Sequence, residues 1–333
     1  MEKVHRFREL FEKGQEKMGS LNLLGKFCLL VDASWEKFVY GTSREDYFQY
    51  EFYKKNNRGR REFITRGRSK EIHAVCNDPI KKKIFVDKDV FAEVFKEYTG
   101  RKILNMNMAT FEEFSQFCAT HERVFQKPRG GTFGHGVGII NMSDIKDIKA
   151  LYTEFRSLDV ILEEVIVQHP SLAAFNPTSL NSMRVVTILG ADGEPEVMPG
   201  AVLRIGRKGK LADNFHHNGI ASQIDIFTGM VSSTGIDKAG RRYLLHPDAG
   251  LPIVGFQIPM WDEICKTVLA AAKVVPQVRF VGWDVAVTQD NRVILIEGND
   301  RADPDVGQMS DGIGKWRAYE KKVNEIRAIK HLK

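Results

Sequence analysis

Cysteine is scarce: the 333 residues hold four, Cys28, Cys76, Cys118 and Cys265, widely spaced and with no CxxC pair. This excludes a disulfide framework and a cysteine-based metal site, and leaves reduced thiols. Long apolar runs are also missing. Nothing approaches the length of a membrane span, and the amino-terminal MEKVHRFRELFEKGQEKMG is a charged helical pattern without the apolar core of a signal peptide. The expected compartment is the cytoplasm, with no transmembrane segment. No helix-turn-helix pattern, zinc finger or aromatic RNA-binding signature is present, so DNA is not an expected partner.

What is present is the composition of an ordinary globular protein, long enough for two or three subdomains. The formal charge of +6 and pI near 9.0 are unevenly spread, with basic residues crowded at 54–55, 58–61, 66–70 and 81–83. Such a run either attracts an anionic partner, here expected at 54–70, or forms a solvated face. Residues 1–83 read as helices joined by polar turns, with Tyr47, Phe48, Tyr50, Phe52 and Tyr53 as a packing cluster.

From residue 84 the pattern alternates strand and helix. A short strand at 84–86 precedes a helix that Asp87 or Asp89 can cap, running to about 98. Thr110 and Glu113 form a capping box opening a helix to about 119. A strand at 124–127, a helix from Asp144 to about 157 and a strand at 160–167 follow. Strands at 185–189, 197–204 and 222–227 and a helix at 261–273 lead to a final hairpin, giving an α+β chain with antiparallel sheets.

That hairpin, VGWDVAVTQDNRVILIEGNDR at 281–301, carries the clearest chemistry. If Asp290-Asn291 is a two-residue loop, Asp284 stands directly opposite Glu297, and the period-two alternation returns Asn299 to the same face. Two carboxylates and an amide oxygen are hard ligands, suited to Mg²⁺ or Mn²⁺. A one-residue slip in register sends Asp284 to the other face.

A second stretch, FQKPRGGTFGHGVG at 125–138, places Gly130, Gly131, Gly134, Gly136 and Gly138 within nine residues, behind Lys127. Glycines let backbone amides approach a polyphosphate and a lysine adds point charge. The stretch lacks the GKS or GKT of a Walker loop, and a strand follows where that loop and a dinucleotide fingerprint require a helix. It reads as a flap over nucleotide phosphates or as the tip of a hairpin. Further on, ILEEVIVQHP supplies a strand whose backbone suits the edge of adenine.

Lys88 in VDKDVF, Lys127 before the glycine-rich flap, the acidic strand ILEEVI and the terminal Asp, Glu and Asn of one hairpin together resemble the ATP-grasp superfamily. NSMRVVTIL, AVLRIG, ADNFHHNGI, LLHPDAG, VGWDVAVT and LIEGND are similar to its sugar-transfer-associated branch, over about 84–300. The resemblance implies an ATP-grasp fold of two α/β subdomains, at 84–160 and 161–333, behind an atypical helical, basic region at 1–83. It implies that Lys88 and Lys127 hold phosphates, that the glycines at 130–138 form the flap, and that 163–165 (Glu163, Glu164 and Val165) form the adenine hinge, with Glu164 or His169 near the ribose. Asp284, Glu297 and Asn299 would hold two Mg²⁺ ions (or Mn²⁺) on ATP. Arg184 and Arg204 would face the transferred phosphoryl group and Asn214 the acceptor, while Asp213 and His217 are neighbours that equally suit turn capping.

The implied activity is ATP-dependent ligation of a carboxylate to an amine or other nucleophile through an acylphosphate, with small-molecule or glycan-linked substrates. Two alternatives are a kinase acting on a sugar or polyol hydroxyl, and a non-catalytic nucleotide-binding protein.

Overall fold

The computed structural model describes residues 2–129, 137–210, 213, 215 and 219–331. Two antiparallel sheets organise the chain. The smaller has the order β1-β4-β2-β3, from β1 (Ile103–Asn105), β2 (Arg123–Pro128), β3 (Gly138–Asn141) and β4 (Val160–Glu164). The larger has the order β11-β10-β5-β6-β7-β8-β9, from β5 (Ser182–Leu189), β6 (Pro195–Ile205), β7 (Ile220–Gln223), β8 (Gly235–Ile236), β9 (Arg242–Tyr243), β10 (Phe280–Val287) and β11 (Val293–Asn299).

The helices Phe111–Ala119 and Ile148–Ser157 cover the smaller sheet, burying Phe114, Phe117 and Phe155 against Val124 and Leu162. The capping box forms as expected: the Thr110 side chain accepts from the Glu113 amide, and the Glu113 side chain accepts from the Thr110 amide. The second helix starts later than Asp144, because Asp147 caps it. In the larger sheet β10 is buried along its whole length, and Trp261–Ala272 packs over it through Trp261, Ile264 and Val268.

Two expectations are corrected. Residues 84–86 form no strand; they end a 3₁₀ turn, Lys81–Phe85, initiated where the Asp78 carboxylate accepts from the amides of Ile80 and Lys81. Phe85 then packs on Phe91, Phe95 and Trp283. The strand at 160, placed by sequence at the junction with the second subdomain, is a central member of the smaller sheet, pairing with both β1 and β2.

The helical region is not a separate body. Helices Glu2–Met18 and Leu23–Tyr40 and the aromatic cluster share a core with Val202, Ala221, Val306 and Met309 of the larger half. Arg66–Cys76 packs beside Trp316 and Tyr319 of the last helix, Trp316–His331. Helix Leu23–Tyr40 ends at Gly41, whose φ of 63° is left-handed and whose missing Cβ leaves room for Gly67. The Gly67 amide donates to the Gly41 carbonyl at 3.0 Å, tying the first helices to the rest.

Candidate nucleotide and metal site

The final hairpin turns differently from the sequence expectation and arrives at the same pair. Its loop has three residues, 289–291, closed by the Thr288 amide on the Arg292 carbonyl, with Asn291 left-handed at φ 62°. The extra residue shifts the pairing to Val287↔Val293 and Val285↔Leu295. An irregularity between Asp284 and Val285 shifts it back, so Asp284 faces Glu297 and Gly282 faces Asn299. The two departures cancel at the functional end of the hairpin.

Asp284 is 6% exposed and lies beside Arg184, its direct partner on β5. Arg184 forks onto it, with Nη2 donating to Oδ2 at 2.8 Å and Nε to Oδ1. Arg204 on β6 reaches both carboxylate oxygens at 3.2 Å. Burial disfavours the charged Asp284, but the two guanidiniums outweigh it and hold the carboxyl well below the usual range. Glu297 is pushed the other way, up, by loss of solvation and by the Asp284 carboxylate. Asn299 donates to Glu297 Oε1 at 3.2 Å, which leaves its own amide oxygen as an acceptor. This donor set is all oxygen, on two paired strands, with Arg184 and Arg204 as the cations that hold Asp284 in this structure. Asp284, Glu297 and Asn299 therefore fit a hard divalent ion.

Across the cavity, Lys127 is buried on β2 with its Nζ 2.5 Å from Glu163 of β4. Glu163 also receives Arg101, whose Nε and Nη2 lie at 3.3 Å, and which donates further to the carbonyls of Leu295 and Ile296 at 2.8 and 3.0 Å. Burial would raise the Glu163 carboxyl, but Arg101 and Lys127 bring it to about 2. The Glu163 side chain thus fixes two cations beneath the site. Arg101 carries no local signal in the sequence, because its partner lies 62 residues away. Lys88 opens helix Lys88–Val94 and donates to the Pro128 carbonyl at 2.9 Å; burial and then Lys127 lower its pKa.

These groups line one cavity of about 1000 Å³ between the sheets, within the size of a cofactor site. Lys88, Lys127, Glu163, Glu164, Val165, Arg184, Arg204, Asp284, Glu297 and Asn299 all contribute to its wall. His169 is not among the described lining residues; its Nδ1 pairs with the Ser171 hydroxyl and accepts from the Ser171 amide. Gly130, Gly131, Gly134, Gly136, Asn214 and His217 lie outside the described residues. Asp213 lines the cavity and accepts from the Ser182 amide at 2.8 Å. A further part of the wall, unread from sequence, is formed by residues 300–301 and 303–307 with Lys315 and Tyr319. There Gln308 bridges the amide and carbonyl of Ile64, so the helical region braces that wall.

The family described as sugar-transfer associated ATP-grasp matches residues 67–324. No curated protein matches the chain. Among solved structures, the ATP-grasp ligase PsnB complexed with minimal precursor, Mg and ADP is similar at 13% identity and a TM-score of 0.45, covering 76% of this chain and 62% of that one. The D-alanine–D-alanine ligase from Bacillus anthracis is similar at 12% identity and a TM-score of 0.44, covering 79% and 77%. N5-carboxyaminoimidazole ribonucleotide synthetase from Thermotoga maritima gives 14% and 0.41, covering 74% and 50%. The chain spans less than two thirds of the length of PsnB and half that of the synthetase.

Proposed function

The chain belongs to the sugar-transfer-associated ATP-grasp family, and from that premise we propose that it is an ATP-dependent ligase joining a carboxylate to an amine or other nucleophile through an acylphosphate. The observation that carries this reading is the pairing of the Asp284, Glu297 and Asn299 face with Lys127 and Lys88 across one cavity. An acidic oxygen cluster facing lysines across one cavity suits metal-bound polyphosphate.

In this proposal Lys127 and Lys88 bind the phosphates, with Lys127 oriented by Glu163. Of the hinge expected at 163–165, Val165, just past the end of β4, is assigned to the adenine edge, since Glu163 and Glu164 pair with β1 and β2. Asp284, Glu297 and Asn299 would hold Mg²⁺, which would supply charge neutralisation on the polyphosphate. Arg184 and Arg204, beside Asp284, stabilise charge on the moving phosphoryl oxygens. The acceptor carboxylate oxygen forms a bond to the γ-phosphorus as the bond to ADP breaks. The nucleophile then attacks the acyl carbon, and phosphate leaves with the electron pair of the broken acyl C–O bond. Asn214 and the wall at 300–301 and 303–307 are assigned to the acceptor end, whose substrate class is a small or glycan-linked acid with an amine partner.

The test is ADP release with Mg²⁺ or Mn²⁺ across amino acids, sugar acids and amino sugars, followed by product mass. A ligase yields ADP, free phosphate and a condensed product. A phosphorylated acceptor would replace this reading with a kinase, and nucleotide binding without turnover would replace it with a sensor.

A further inference from the structure

Helix Leu23–Tyr40 has its polarity inverted. Its acidic residues are held by a buried cation: Glu36 is fully buried and Asp32 half-buried, and both receive Arg60, whose Nη1 lies 3.2 Å from Glu36 and 2.6 Å from Asp32. The Tyr47 hydroxyl also donates to Asp32 at 2.6 Å, so this face is locked. The outward face is apolar. Leu24, Phe27, Val31, Trp35 and Phe38 recur at spacings of three and four and are 69%, 62%, 52%, 57% and 87% exposed. A surface helix normally shows the opposite arrangement, and a contiguous exposed apolar stripe marks an interaction face.

The charges left on the helix are both cations: Lys37 is exposed, and Lys26 is half-buried with its ammonium over the Phe11 ring of the first helix. At its carboxyl end Arg61 and Arg68 gather on the Tyr40 ring, with Arg61 Nε donating to the Tyr40 hydroxyl at 2.7 Å. Arg58, also exposed, sits in the turn that carries Arg60. Arg68 is half-buried, donating to the Arg61 and Phe63 carbonyls, so the exposed cations of this rim are Lys37, Arg58 and Arg61. We propose that this face docks on an anionic lipid bilayer, the helix lying in the interfacial plane with its aromatic side chains in the acyl boundary and its basic rim at the lipid phosphates. No described helix is long and apolar enough to cross a membrane, so the contact is peripheral. An anionic lipid surface satisfies the apolar stripe and the cationic rim together.

The test uses the full chain with vesicles of phosphatidylcholine alone or with about a quarter phosphatidylglycerol. Trp261, Trp283 and Trp316 are at most 5% exposed, so a blue shift of tryptophan emission on binding reports Trp35. The expected result is cosedimentation with the anionic vesicles and a blue shift, with affinity reduced about tenfold by Phe27→Glu or Phe38→Glu. Lys37→Glu should weaken the anionic preference, and ATP turnover in vesicle-free solution should be unchanged in all three variants. Absence of binding to anionic vesicles overturns the proposal, as does equal binding to neutral ones. A dimer in solution that Phe38→Glu disperses, with vesicles unbound, assigns the face to a second copy of the chain instead.

Discussion

Replacing Glu163 with glutamine removes the counter-charge beneath Lys127 while preserving shape. At 2.5 Å the Lys127 ion pair has a gross attraction of about 7 kcal/mol at an effective dielectric near 20, much of it offset by the cost of burying both groups. The proton affinity of Glu163 gives the net value. Its carboxyl lies at about 2 in place of 4.5, and at about 1.4 kcal/mol per tenfold change the fold gains about 3 kcal/mol. Because the folded value is depressed, the gain is complete above about 4.5 and is lost as pH falls towards 2. Urea unfolding at pH 7 should therefore show Glu163→Gln about 3 kcal/mol less stable than the parent, with the gap closing on acidification through that window. Lys127→Met should cost less when combined with Glu163→Gln than in the parent, because its partner is already gone. A gap below about 0.5 kcal/mol at pH 7, or one that widens as pH falls, would refute the reasoning.

Glu297→Gln keeps the shape of the side chain and removes a charge that burial and Asp284 disfavour, so the melting temperature should stay within a few degrees while metal-dependent turnover falls about a hundredfold or more; full activity would remove Glu297 from the metal site. Lys127→Ala should weaken ATP binding by calorimetry at least about tenfold, and unchanged affinity would contradict its phosphate role. Gly307→Ala puts a methyl 2.6 Å from the Gly200 carbonyl oxygen. It should destabilise the wall at 303–307 by about 1–3 kcal/mol in chemical denaturation, and a neutral result would mean that the wall yields easily.

Local signals account for what is legible in the sequence. Thr110 and Glu113 announce a helix start within four residues, and the β-branched runs around 281–298 announce a hairpin, so both elements follow from their own residues. The opposition of Asp284 and Glu297 is as expected but does not follow from the two-residue loop assumed: the extra residue at 289–291 is compensated by the irregularity at Asp284, and neither leaves a local sign. What stays hidden depends on long-range contact. Arg101 matters because it meets Glu163 from outside that strand, and Arg184 and Arg204 are tied to Asp284 by the order β10-β5-β6. The short strands β8 and β9 have two residues each, too few for any alternation to appear. Residues 84–86 look strand-like because Ile, Phe and Val are β-formers, yet the Asp78 cap and the packing of Phe85 on Trp283 decide the local conformation.

In the proposed function Asp284, Glu297 and Asn299 work with Lys127 and Lys88 as one ATP site for ligation. The most direct test is Mg²⁺-dependent ADP release in the presence of a carboxylate and an amine, with product mass read in the same reaction. The account predicts release that requires both co-substrates, yields free phosphate and a condensed product, and disappears in Glu297→Gln. Release that persists in that variant, or an acceptor that gains a phosphoryl group in place of its partner, would contradict it.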